Sequence, residues 1–342
     1  MDTENITLGF EDYLVNDTIL SNFTFKTPYR RTFSSNIIGS FITIVIALTS
    51  ILGNTAVVTA SFWSETLRVQ TGNLLVVYLS IIDILTAILV MFPSAIAVAI
   101  DYWPLGWIAC KMHAGFNYTF ACSSSFNLAL ISFDRAIAVL HPFKYRTMMT
   151  TKVMIGGCCL IFFQSFAIGL ACGLPYWSHY DYTEGVCAMD YTRNIAVFNV
   201  FNIGCFFCYY VPAIIISICN VLIILAANKS GKSIKPLFVR RNNNSLEKPG
   251  ITQGEAHMNK TSKSMVFVVV TYYICFSPYA LSKEVKVCFG YDMPPWLNYL
   301  ATIFIFIASG TNPFIYAILR KDYRDAFKKL PRMMFERFAT RF

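Results

Sequence analysis

Seven long apolar runs dominate this chain, at approximately residues 37–63, 73–100, 107–140, 153–176, 196–227, 260–288 and 295–319. Each has about 20 residues or more, the length a helix needs to cross a hydrocarbon layer of ~30 Å. Lipid cannot pair exposed backbone N–H and C=O groups, so each run must be a helix. The expected fold is an all-α membrane protein, a seven-transmembrane helix bundle. Composition agrees, because 56% of the 342 residues are hydrophobic and only 14% are charged, whereas a soluble domain carries roughly 25% charged residues. Pro212, Pro278 and Pro313 fall in the fifth to seventh runs, where a bundle tolerates kinks. No internal repeat is evident. Most of the eleven cysteines lie inside the runs as small hydrophobes, the Cys205–Cys208 spacing included, and no metal site is expected from them.

Seven crossings put the two termini on opposite sides, and charge decides which is which. The segments joining the runs carry 21 Lys and Arg on one side and 7 on the other. The richer side is expected to be cytosolic. The net charge of +9 is thus an orientation signal, and nucleic-acid binding is not expected. Lys26, Arg30 and Arg31 before the first run oppose this locally. Three glycosylation acceptors, Asn5, Asn16 and Asn22, favour an outside N-terminus all the same. Asn243 and Asn259 also begin such triplets but fall on the cytosolic side. No cleavable signal peptide is visible, so the first run serves as the targeting signal. The expected organisation is an extracellular segment over 1–36, the bundle over 37–319, and a cytoplasmic segment over 320–342 at the plasma membrane.

The last segment begins Lys321-Asp322-Tyr323-Arg324-Asp325-Ala326-Phe327-Lys328-Lys329-Leu330. Tyr323, Ala326, Phe327 and Leu330 recur at helical spacing between basic residues, the pattern of a short amphipathic helix lying on anionic lipid. Pro331 is expected to stop it. No cysteine follows to carry a palmitoyl anchor. Residues 228–259 are polar, contain Asn242-Asn243-Asn244, Pro249 and Gly250, and read as a mobile connector.

A few residues inside or beside the runs carry chemistry. Cys110 opens the third run and Cys187 lies between the fourth and fifth, both facing the oxidising exterior. A bridge between them would pin that loop over the bundle mouth; otherwise they are two unrelated thiols. Asp83 sits in the middle of the second run, where a carboxylate costs about 2.5–3.5 kcal/mol on insertion scales. It must face the interior and find partners, with Asn54, Ser124, Ser309 and Asn312 as candidates. Such a knot is either a buried hydrogen-bond cluster or a switch that holds a cation such as sodium. Asp134-Arg135-Ala136 closes the third run, Leu140-His141-Pro142-Phe143-Lys144-Tyr145 follows, the sixth contains Cys275-Phe276-Ser277-Pro278, and the seventh ends Asn312-Pro313-Phe314-Ile315-Tyr316.

In this order, and on these runs, the motifs resemble the rhodopsin-like class of G-protein-coupled receptors over about residues 35–330. The match takes in Gly53-Asn54, Asp83, Trp103, Cys110, Asp134-Arg135, Cys187, Pro212, Cys275 to Pro278, and Asn312 to Tyr316. The resemblance implies a receptor, not an enzyme, that passes a signal to heterotrimeric G proteins, with arrestin and receptor kinases as further partners. It implies that Asp134 holds Arg135 at rest, that Phe143 enters the G protein, and that Pro278 is a fulcrum with Phe276 as a packing switch. Asn312, Pro313 and Tyr316 would close the active arrangement. The chain departs from the pattern at Phe276 and Ala136, where most of the class has Trp and Tyr, at Asn220 in place of a Tyr, and at Gln164 or Ser165 near a usual Trp.

The resemblance also constrains the ligand. Photopigments carry a retinal-binding Lys six residues before the Asn of N-P-x-x-Y. Here that position is Phe306, so no retinal Schiff base is expected. Amine receptors carry an Asp where this chain has Asn117, although His141 to Tyr145 is amine-receptor-like. The expected pocket comprises Asn117, Tyr118, Tyr279, Lys283, Asn298, Thr302 and Phe306, aromatics with polar handles that suit a small organic molecule. Lys283 and Lys286 would either attract an anion or, as the plainer reading, snorkel to the interface. A constitutively active receptor without a ligand is the alternative. A transporter would need more mid-span ionisable groups than Asp83. Motifs of membrane enzymes are missing.

Overall fold

The structure is a computed structural model that describes residues 31–173, 178–189, 199, 202–204, 206–233, 253–289, 291 and 293–339, with backbone alone at 229–233, 253–266, 287 and 332–339. The acceptors Asn5, Asn16 and Asn22 lie outside the described residues. From Phe33 onward the chain forms one compact unit. Its long helices are α1 (Phe33–Trp63), α2 (Asn73–Ile100), α3 (Gly106–Leu140), α4 (Thr151–Cys172), α5 (Val211–Ser233), α6 (Gln253–Phe289), α7 (Pro295–Leu319) and α8 (Lys321–Ala339). A two-stranded antiparallel hairpin, β1 (Ser178–Asp181) and β2 (Val186–Met189), follows α4, with Tyr180 opposite Cys187.

The helices bury small and polar residues and expose large apolar ones, the reverse of a soluble protein. Phe41, Leu52, Leu160, Phe163, Ile218 and Leu225 are exposed, whereas Asn54, Ser80, Asp83 and Asn127 are fully buried. Only a lipid surrounding makes that distribution favourable. By length and composition α1, α2, α4, α7 and the Asn202–Asn228 stretch can cross a membrane. The third and sixth do not meet that measure among the described residues. α3 carries buried His113, Asn117, Ser123, Ser125 and Asp134, which are tolerable because α3 packs between α2, α4 and α5 and these side chains are buried there. α6 carries Lys283, Glu284 and Lys286 in its last turns.

Prolines shape the bundle at one position more than the sequence suggested. The helical stretch 73–100 opens into a wider π turn at Ala87–Met91, directly before Pro93. A second π turn at Phe206–Tyr210 precedes Pro212. A proline removes one helical N–H and crowds the carbonyl four residues back, and a widened turn absorbs both effects. α1 meets α7 closely at Gly53, where a Cβ would fall 2.8 Å from Pro313 Cγ.

Two boundary expectations are corrected. The connector is shorter than 228–259, because α5 runs to Ser233 and α6 starts at Gln253. Pro331 does not end the amphipathic helix, which continues to Ala339 with Pro331 inside it. The residues beyond it, Arg332 to Ala339, are mostly good helix formers. The apolar face of α8 is seated, with Tyr323 and Ala326 buried.

Candidate functional site

Polar residues gather in three layers between the Cys110 end of the bundle and the Arg135 end. At the Cys110 end, the cysteines form a disulfide, Cys110–Cys187, spanning 77 residues of sequence. Trp103 and Tyr180 pack against it. His113 Nδ1 accepts from the Cys187 N–H at 3.3 Å, while its Nε2 lies 3.1 Å from the Val90 carbonyl and from Ser94 Oγ. The hairpin is thereby tied to α3 and, through His113, to the widened turn of α2.

The turn between β1 and β2 is built by its own residues. Asp181 Oδ1 accepts from the Thr183 N–H at 2.8 Å and from Thr183 Oγ1 at 2.7 Å, and Gly185 takes a φ of +73°. Burial alone would raise the Asp181 carboxyl. The nearby ammonium groups of Lys283 and Lys286 and the Thr183 donors outweigh that and hold it below its ordinary value. The turn carries Glu184 into the bundle, where its carboxylate pairs with Lys283 Nζ of α6. Both side chains are 3% exposed or less. Tyr279 Oη donates to the second Glu184 oxygen at 3.4 Å. Lys283 therefore does not snorkel. At one end of a long helix its stem can turn inward as easily as outward, and the buried glutamate decides between them.

Below the turn lies a cavity of about 70 Å³, lined by Tyr118, Tyr279, Lys283 and Phe276 with Cys172, Gly204, Cys208 and Tyr209. It sits among α3, α6 and the approach to α5. Four of the seven expected pocket residues do not line it. Asn117 lines a deeper cavity instead. Asn298 Nδ2 donates to Thr183 Oγ1 at 3.3 Å, and Thr302 Oγ1 donates back to the Asn298 carbonyl at 3.2 Å. Phe306 is buried in a cluster with Val90, Met91, Phe120 and Val186. The hairpin covers this α7 side, which helical spacing alone could not reveal.

In the middle layer Asp83 is fully buried. Asn312 Nδ2 donates to Asp83 Oδ2 at 2.8 Å, while Oδ1 has no hydrogen-bond partner. Asn54 does not touch the carboxylate. Its Nδ2 donates to the Ser50 and Ser309 carbonyls at 3.0 Å each, and Ser50 Oγ donates to the Asp83 carbonyl at 3.3 Å. The deeper cavity, about 20 Å³, is lined by Asp83, Asn117, Ser124, Ser309 and Asn312. That is enough for one water-sized guest, which needs ~10–15 Å³. An unpaired buried carboxylate oxygen facing polar neighbours suits a small cation, so the residues fit sodium.

Phe276, Ala121 and Ile305 line both cavities. Phe276 stacks on Tyr272 with ring centres 4.8 Å apart. Tyr272 Oη in turn donates to the Tyr209 carbonyl at 3.1 Å and lies 2.9 Å from Ser125 Oγ. Tyr209 Oη lies 2.8 Å from Ser277 Oγ, beside Pro278. The tyrosines at 209 and 272 were not among the expected site residues, although their places, each about one turn before Pro212 and Phe276, were readable.

At the Arg135 end, Asp134 is 1% exposed. Arg135 Nε donates to its Oδ2 at 2.8 Å, and Tyr145 Oη donates to its Oδ1 at 2.7 Å. Burial and the bond to Asp134 push the Tyr145 phenol above its usual value, so it stays a donor. Gly72 leaves room for the ion pair, since a Cβ there would fall 2.6 Å from Arg135 Nη2 and 2.9 Å from Asp134 Oδ2. Phe143 is 99% exposed. Tyr316 is buried and stacks on Tyr323 of α8 at 5.5 Å. Tyr323 Oη reaches Ser61 Oγ at 2.7 Å and also bonds Asn73. Arg320 Nη2 donates to Gln70 at 2.9 Å, and Gln70 donates to Asp322 at 3.1 Å.

Residues 53–316 match the sequence profile of the 7 transmembrane receptor (rhodopsin family). The chain is 28% identical to the human 5-hydroxytryptamine receptor 4 over 316 residues, covering 84% of this chain and 77% of that protein. It is 26% identical to trace amine-associated receptor 1 of Macaca mulatta over 299 residues, covering 84% and 85%. It is 28% identical to melanopsin-B of Gadus morhua over 295 residues, covering 84% and 46%. A profile match over more than half of the length, carried by apolar helices and a single bundle, settles the class. The chain is a multi-pass membrane protein of a receptor class and not an enzyme, and it belongs to the rhodopsin family of seven-transmembrane receptors.

Proposed function

We propose that the chain is a plasma-membrane receptor, N-terminus outside, that converts binding of a small organic ligand at the Cys110 end into activation of a heterotrimeric G protein at the Arg135 end. Arrestin and receptor kinases would engage the same cytosolic face. The observation that carries this reading is Phe276. Its ring borders both the upper cavity and the one holding Asp83, so a ligand that moves it repacks the middle layer. Proteins with two discrete packings respond to a ligand in proportion to its differing affinity for them.

In the resting packing Asp134, braced by the Tyr145 hydroxyl, holds the Arg135 guanidinium, and Phe143 waits in solvent to enter the partner. Pro278 is the point about which α6 turns, and Asn312, Pro313 and Tyr316 are the part of α7 that follows. Sodium, where bound, would be held by Asp83 with Ser124, Ser309 and Asn312, and Asn54 would brace them through Ser309. Such an ion supplies a positive charge that favours the packing in which the carboxylate is ionised and enclosed. Retinal does not fit at the usual place, where Phe306 offers no amine. An amine ligand, as the names of the relatives suggest for them, lacks its usual partner at Asn117. A hairpin already seated over the pocket makes ligand-free signalling the second reading.

The test is Arg135→Ala with G-protein activation and surface amount measured together. Loss of activation at unchanged surface amount is expected. Unchanged activation would remove Arg135 from the mechanism.

A further inference from the structure

The geometry points to a carboxylate-bearing aromatic molecule as the ligand class of the upper cavity, with Glu184 acting as a tethered stand-in for its acid group. This deepens the receptor reading and rests on it for the location of the site. Three observations support it. Lys283 and Tyr279 line the cavity and both donate to one Glu184 carboxylate, so the cavity wall already presents a two-donor carboxylate cradle. Glu184 itself is not among the residues lining the cavity; it reaches the cradle from the turn above.

The second observation is burial. With Lys283 and Glu184 both 3% exposed or less, displacing the glutamate without supplying another anion would strand a buried ammonium, which is strongly unfavourable. A neutral or cationic molecule has no way to meet that demand at the wall, whereas a carboxylate meets it in full. The third is size. The cavity holds about 70 Å³, well short of the ~300–1,000 Å³ typical of small-molecule sites. Withdrawal of the Thr183–Glu184–Gly185 turn is the local change that enlarges it while vacating the cradle. The remaining wall of Tyr118, Phe276 and Tyr209 suits an aromatic ring, and the ring would press on Phe276.

The experiment uses the full-length receptor in lipid nanodiscs and reads thermal unfolding against two probes of matched shape, indole-3-acetate and tryptamine. Glu184→Gln removes the resident carboxylate and leaves the Lys283 ammonium without its counter-charge. It is expected to lower the melting temperature, with indole-3-acetate restoring it at concentrations about tenfold lower than tryptamine requires. The same variant with Lys283→Met added should lose that preference. Should Glu184→Gln fail to fold, the reversed pair, Glu184→Lys with Lys283→Glu, keeps the ion pair, and its preference should invert towards tryptamine. Stabilisation by tryptamine at lower concentration than indole-3-acetate at the unreversed cradle, equal effects of both probes, or an unchanged preference in the reversed pair would overturn the proposal. Unfolding reads binding whether or not a G protein responds, so a failure here is separable from a failure of the receptor reading, which Arg135→Ala tests alone.

Discussion

The Tyr145 hydroxyl offers the cleanest probe of the resting lock. It donates to Asp134 Oδ1 at 2.7 Å, while Arg135 Nε holds the other oxygen at 2.8 Å. Tyr145→Phe deletes one hydrogen bond and leaves the ring and the ion pair in place. A hydrogen bond to a charged group contributes ~1.5–3 kcal/mol, and the half-buried position of Tyr145 places this one at the low end, about 1.5 kcal/mol. If the bond exists only at rest, the balance between packings shifts about tenfold, since ~1.4 kcal/mol is one factor of ten. A minor active state of about 1% would then rise to roughly 9%. The assay is agonist-free nucleotide exchange on a purified G protein, normalised to receptor amount. A several-fold rise in basal exchange is expected. Unchanged exchange at unchanged amount would refute the claim that this contact belongs to the resting packing.

Three further outcomes follow from the geometry. Gly53→Val should lower thermal stability by about 1–3 kcal/mol, the usual range for overpacking, because even its Cβ would lie 2.8 Å from Pro313 Cγ; an unaltered melting temperature would contradict the close approach of α1 and α7. Sodium chloride should raise the melting temperature of the unmodified receptor more than choline chloride does, and Asp83→Asn should abolish the difference; an equal response to both salts would exclude sodium from the Asp83 cavity. Because the Asp181 carboxyl is held below its ordinary value, its contribution is complete above the unfolded value of ~3.9 and fades only as pH falls through the lower folded value. Hydrogen exchange of the hairpin amides should therefore be flat from about pH 5 to 8 once corrected for intrinsic rate; loss of protection within that window would mean that another group holds the turn.

What could be read from the residues, and what could not, divides along a physical line. Helix positions follow from local apolarity, and the helices begin and end near the runs. The burial of Asp83 was legible because a carboxylate in lipid demands it, and the bridge from Cys110 was one of two readings open to thiols on an oxidising side. The Asp134–Arg135 pair was legible only through the family resemblance, since adjacent opposite charges at a helix end are as readily a solvated surface pair. Cross-bundle partners were not, because the side chain that faces a given position depends on rotation and kink. Phe306 and Asn298 thus fell under the hairpin and not in the cavity. Lys283 turned inward because Glu184, about 100 residues earlier, met it there, and no periodicity in α6 records that. Tyr323 carried a readable signal as part of an apolar face, yet its hydroxyl contacts with Ser61 and Asn73 depend on how α8 docks. Pro93 was visible and overlooked, although a proline late in an apolar run is itself a sign of a widened turn.

A single distance distribution bears most directly on the central claim that one bundle rests in two packings. Spin labels at Arg146, in the turn after α3, and at Phe267 of α6, in a background lacking the exposed Cys159 and Cys288, report the separation of the two helices at the Arg135 end. With nucleotide-free G protein bound, a second and longer population several ångströms away should appear, and Arg135→Ala should suppress it. One unmoved population with the G protein bound would contradict the account.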